Sequence, residues 1–120
     1  MEAVPVVFYA ETNVFGYKLG MEKHKPHYRL MDVQTLVAAN GIATFTQTAR
    51  INSLLMGLSA DQALAVVAGL GPAMFFKSMT TNNDHRAWQD VYHAPCPNGK
   101  TAYIKLTLQA GTVVIQFKEK

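Results

Sequence analysis

The chain has 120 residues, 49% of them hydrophobic and 16% charged, with a formal charge of +3. These values predict one globular domain with a modest core and exclude a disordered, fibrous or collagen-like chain. From Met21 onward ten Lys and Arg oppose six Asp and Glu, an excess that is compatible with a polyanionic partner without requiring one.

The apolar run Val4–Ala10 holds a proline and is too short to span a bilayer. With no basic leader and no small-residue cleavage site it does not read as a signal peptide either. Met21-Glu22-Lys23-His24-Lys25-Pro26-His27 looks like a natural start. Residues 1–20 are therefore expected to be an extension, from an upstream start or added artificially, and residues 21–120 the domain. A short edge strand over Val4–Tyr9 is the alternative.

The first helix is predicted over Arg29–Ala39, where Leu30, Val33, Leu36 and Val37 recur at helical spacing and Asn40-Gly41 supplies a stop. Ile42–Gln47 reads as a short connecting strand, and Arg50–Leu58 fits neither period. A second helix begins at Ser59, whose hydroxyl can cap the first turn with Gln62 as reciprocal partner, and ends at Gly71-Pro72. Its apolar residues occupy several sides, which predicts burial against a sheet.

After Pro72 the period changes from 3.6 to 2. Strands are predicted over Ala73–Thr81, Arg86–His93, Thr101–Gln109 and Thr112–Lys118, joined by Thr81–His85, Pro95–Gly99 and a tight turn at Ala110-Gly111. Such short connections demand antiparallel neighbours. Helices followed by a strand meander predict an α+β fold, an antiparallel sheet with helices packed on one face.

Alternation groups Lys77 with Phe75 and Met79, and Gln89 with Ala87 and Val91. In the later strands Tyr103, Lys105, Thr107, Gln116 and Lys118 lie opposite the apolar sets, so Lys77 and Gln89 join them if register permits. Two readings of this polar set stand side by side. One is a solvated outer face, the usual fate of alternating polar residues. The other is a basic site with a phenol and an amide, suited to stabilising charge on a phosphate. Cys96, the single cysteine, cannot form an internal disulfide and reads as an inert thiol in a reducing cytoplasm. His85, His93 and Cys96 lack a fourth ligand, so no metal site and no cofactor are expected. Trp88 reads as a core residue rather than a base-stacking platform.

Pro26-His27 is followed by Arg29-Leu30, then by Phe76-Lys77-Ser78-Met79-Thr80-Thr81 and Asp84-His85. Trp88-Gln89-Asp90-Val91-Tyr92, Tyr103 with Lys105, and Phe117-Lys118-Glu119-Lys120 complete the series. On these motifs the chain from Met21 to Lys120 resembles the MqsR toxin family. Ala43–Leu58 and the Pro95–Lys100 loop depart from the family pattern. The resemblance implies a RelE-like fold and a ribosome-independent, metal-independent endoribonuclease. Such an enzyme cuts messenger RNA at short GC-containing sites, typically GCU, by attack of the 2′-hydroxyl. Carried over by motif, the catalytic positions are Lys77, Gln89, Tyr103 and Lys118, with His27, Arg29, His85 and Lys105 in RNA contact. Tyr103 could relay a proton if neighbouring lysines lowered its pKa from the usual value near 10. The implied partners are mRNA and an MqsA-like antitoxin, with operator DNA reached only through that antitoxin and no membrane. Growth and biofilm control follow from the same resemblance. A non-catalytic RNA- or protein-binding module of the same fold is the rival reading.

Overall fold

A computed structural model describes residues 7–10, 19–80 and 87–120, with side chains from residue 20 onward. Six antiparallel strands follow one another in sheet order: β1 (Val7–Ala10), β2 (Leu19–Lys23), β3 (Phe75–Thr80), β4 (Trp88–Pro95), β5 (Thr101–Gln109) and β6 (Thr112–Glu119). All helices fall between β2 and β3: α1 (Leu30–Asn40), α2 (Gln47–Leu55) and α3 (Ala60–Ala68). They cover one face of the sheet, giving the α+β arrangement that the period change predicts.

The local signals explain most of these elements. Gly41, at φ 63°, ends α1, and its N–H donates to the Val37 carbonyl. Ser59 and Gln62 form the capping box of α3 in both directions, at 3.1 and 2.9 Å. Ala110 and Gly111 both take positive φ, 52° and 75°, as a two-residue hairpin turn requires. One expectation changes and two open readings resolve. Ile42–Gln47 is mostly a 3₁₀ turn over Gly41–Thr44, with strand-like contact only where Phe45 bridges Ile115 in parallel. The ambiguous Arg50–Leu58 segment is helical through Leu55 as part of α2, capped by the Thr46 hydroxyl accepting from the Ala49 N–H at 3.0 Å. Val7–Ala10 pairs with β2 as an edge strand, overlapping the alternative over Val4–Tyr9.

The core lies between helices and sheet. Val33, Val37, Ala63 and Val67 pack over Tyr92, Ala102, Ile104, Leu106, Ile115 and Phe117, all essentially buried. The most deeply buried charge among the described residues lies on this side of the sheet. Asp90 is 1% exposed, and its carboxylate accepts the His27 N–H at 3.0 Å and the Tyr28 N–H at 2.9 Å. The Tyr28 hydroxyl donates to the Trp88 carbonyl at 2.8 Å. These bonds fasten the segment that enters α1 onto the middle of β4.

Hydrogen bonds to a charged acceptor contribute about 1.5–3 kcal/mol each, and a buried amide left unpaired costs a similar amount. Asp90→Asn keeps the shape but turns an NH₂ group toward backbone donors. It is expected to lower stability by about 1.5–3 kcal/mol, read as a reduced denaturant midpoint with unchanged slope.

Candidate active site

The register of β3 to β6 sets side chains in rows across the sheet face that the helices leave open. His93 stands opposite Tyr103, and Tyr103 opposite Lys118. The neighbouring row is Lys77, Val91, Lys105 and Gln116, and the next holds Met79 and Gln89. Strands lie ~4.8 Å apart, so these rows run roughly 14 Å from β3 to β6. The four residues carried over as catalytic, Lys77, Gln89, Tyr103 and Lys118, thus share one face with Lys105.

Lys77 reaches this face by a route that alternation does not foresee. A β-bulge lies between Phe75 and Lys77. Phe75 pairs with Tyr92 and turns its ring to the core, 5.5 Å from the Tyr92 ring. The extra residue, Phe76, stacks on His93 on the open side at 4.4 Å. Phe75 and Lys77 were expected on one face; the inserted residue puts them on opposite ones.

The face is cationic. Lys118 lies 5.1 Å and Lys105 5.9 Å from the Tyr103 ring centre. Burial pushes the Lys105 ammonium below the usual lysine range, and the charges of Lys118 and Lys77 push it further. Among the described residues Glu22 is the one carboxylate on this side, ion-paired with Lys77. Gln89 is only 9% exposed, so its amide can hold a neighbour in place more readily than it can meet solvent. Beyond β6 a cleft of about 390 Å³ separates Tyr103, Lys105 and Lys118 from Thr48 and Asn52 of α2. The Asn52 side-chain N–H donates to the Phe117 carbonyl at 3.1 Å, which fixes that wall.

The residues expected to contact RNA separate. Lys105 is central to the face. His27 stacks on Trp88 at 5.4 Å, and its Nδ1 lies 2.7 Å from the Lys23 ammonium. That cluster sits on the helix side, as Trp88 pairs with Thr80 and Lys23 with Ser78. Arg29, next to it, stands at the N-cap position of α1 without a side-chain cap hydrogen bond. His85 lies outside the described residues. Trp88 is half-buried beneath Lys23, 4.2 Å from its ammonium, and so belongs with the packed residues. Cys96 is buried and its thiol is pushed up by desolvation, in keeping with the inert role expected.

Sequence reasoning weighed His93 only as a metal ligand, although its distance of four from Gln89 already assigns it to the same face. Glu22 was missed because β2 is too short and too charged to announce itself. Thr48 and Asn52 carry no signal, since only the tertiary fold brings α2 beside β6. Among the described residues no group of three or more His, Cys, Asp or Glu side chains could hold a metal ion, and no single helix is long and apolar enough to cross a membrane.

A small α+β domain with a lysine-rich, aromatic-lined sheet face is the class that fold and site define. The family model described as the motility quorum-sensing regulator, toxin of MqsA, matches residues 25–119. The mRNA interferase toxin MqsR of Escherichia coli K12 is 42% identical over 100 residues, 83% of this chain and all of that protein. The chain belongs to the MqsR toxin family.

Burial holds both His93 and His27 below the ordinary imidazole range, aided by Lys120 and Lys23 respectively, with Asp90 opposing at His27. The unfolded chain therefore takes up protons near pH 6.5 that the folded chain refuses, and stability falls as pH drops through that value. Melting temperature is expected to decrease between pH 7 and pH 5. The His93 Nε2 is buried without a partner, so His93→Phe should leave stability at pH 7 equal or higher and flatten the acid limb.

Proposed function

We propose that this protein is a toxin endoribonuclease that cuts messenger RNA without ribosome or metal. The observation that supports it best is the gathering of Lys77, Gln89, Tyr103, Lys105 and Lys118 on one open sheet face. In this mechanism a ribose 2′-hydroxyl attacks the adjacent phosphorus and the bond to the 5′-oxygen breaks. A 2′,3′-cyclic phosphate and a 5′-hydroxyl result. Lys77 and Lys118 clamp the phosphate and offset the charge that builds on its oxygens. Gln89 orients the strand, and Tyr103, placed between the lysines, carries the proton from the attacking hydroxyl toward the leaving oxygen. Lys105 binds a phosphate beside it. The cleavage sites proposed are short and GC-containing, typically GCU, by the resemblance to the family. Membership in a family described as the toxin of MqsA supports an MqsA-like antitoxin as the restraining partner, through which alone operator DNA is reached.

Incubating pure protein with a defined RNA in EDTA, then mapping both ends, tests the reading. Cleavage with cyclic phosphate ends is expected. Lys77→Ala, Tyr103→Ala and Lys118→Ala should each lower kcat by roughly 10²- to 10³-fold while the circular dichroism spectrum is retained. Uncut RNA bound tightly by the wild-type protein would favour a non-catalytic binding module instead.

Lys105 gives a separate pH signature. A lowered pKa means that its positive charge is lost at a lower pH than for an ordinary lysine. RNA affinity should therefore decline as pH rises into the alkaline range, earlier than lysine chemistry predicts. Lys105→Arg, charged throughout, should hold its affinity to higher pH. Titrations of an uncleavable RNA between pH 7 and pH 10 would check this.

A further inference from the structure

The open face carries an aromatic row of which the proposed chemistry uses only Tyr103. Phe76 stacks on His93 at 4.4 Å with 25° between the planes, and His93 lies 5.4 Å from Tyr103. These three rings come from β3, β4 and β5 and form one continuous series across the sheet. Phe76 is 48% exposed. A lone exposed apolar side chain needs no explanation, but this one is held out of the core by a bulge and lies flat against a second ring. Cations stand at both ends of the row. Lys77 is 5.5 Å from the Phe76 ring centre and Lys118 5.1 Å from that of Tyr103.

We infer that Phe76 and His93 extend the Tyr103 ring into a stacking shelf for the unpaired bases of single-stranded RNA, an inference that rests on the ribonuclease reading above. Every base offers a flat π-face, so aromatic surfaces hold single strands with little regard to sequence. Bases laid along Phe76, His93 and Tyr103 leave the phosphates to the adjoining row of Lys77 and Lys105. The strand then crosses β3 to β5 and meets Tyr103 and Lys118 at the far end. His93 serves here as a flat neutral ring. Its Nε2 is buried and unpartnered, and burial with the Lys120 charge disfavours its protonated form. It acts as a surface and not as a proton carrier.

The test compares wild type with Phe76→Ala, Phe76→Trp, His93→Ala and His93→Phe. Affinity is read by fluorescence anisotropy with a 2′-O-methylated single strand, which cannot be cut, and kcat/KM with its cleavable counterpart. Each alanine variant should weaken single-strand binding roughly 5- to 150-fold, the equivalent of ~1–3 kcal/mol per stacked base. Phe76→Trp and His93→Phe should restore it, because either ring offers a stacking face. Undiminished affinity in Phe76→Ala would overturn the shelf, as would His93→Phe failing like His93→Ala. So would loss of binding to a purified MqsA-like antitoxin with RNA affinity intact, which would mark the row as a protein-docking surface. Wild-type protein that neither binds nor cuts RNA would instead bring down the ribonuclease reading itself.

Discussion

The contact between the Asp90 carboxylate and the His27 and Tyr28 amides fixes more of this molecule than any other single interaction. A carboxylate can be buried only where donors meet it, and these two come from the segment that launches α1. Strand β4 is thereby locked in phase. Trp88, Asp90 and Tyr92 must face the helices, and Gln89, Val91 and His93 must face away. A slip of one residue would leave two backbone amides unpaired and send the carboxylate to the wrong side. Because β4 pairs with both β3 and β5, its phase is passed to Lys77 on one side and to Tyr103 and Lys105 on the other. The position of the lysine-rich face follows from a bond on the opposite face.

Much of the fold was legible because local chemistry and tertiary structure agree. The Ser59–Gln62 box, the Gly41 stop, the tight turn before Thr112 and the alternation in β5 and β6 each have local causes, and each appears as read. What could not be read depends on distant contacts. Phe45 bridges Ile115 seventy residues away, and nothing near Phe45 announces that partner. The bulge at Phe76 is likewise silent, because Phe75-Phe76-Lys77 alternates as well in a wrong phase as in the right one. For the candidate site, period alone puts Tyr103, Lys105 and Lys118 on one face, whereas Lys77 joins them through an irregularity and Gln89 through the register of a neighbour. That these are catalytic positions rests on the family resemblance, because alternation fits a solvated face equally well. His27 and Arg29, expected in RNA contact from their motif, stand away from that face: the His27 backbone meets Asp90 and Arg29 opens α1.

Three lysines converging on one sheet face, with a single carboxylate in reach among the described residues, is an arrangement that folding alone would not favour. Like charges repel, and the depressed pKa of Lys105 records that repulsion together with burial. Natural sequences place such local conflicts where a ligand resolves them. A phosphate laid between Lys77, Lys105 and Lys118, as the proposed mechanism has it, would turn mutual repulsion into shared attraction.

Cys96 is the only thiol in the chain, and it is tucked behind Ala94 with its ionisation suppressed. An oxidant therefore finds no thiolate at the surface to modify. Thiol oxidation thus waits on opening of the fold, and among the described residues the sulfur that an oxidant reaches first is a thioether, that of Met31, which is 68% exposed.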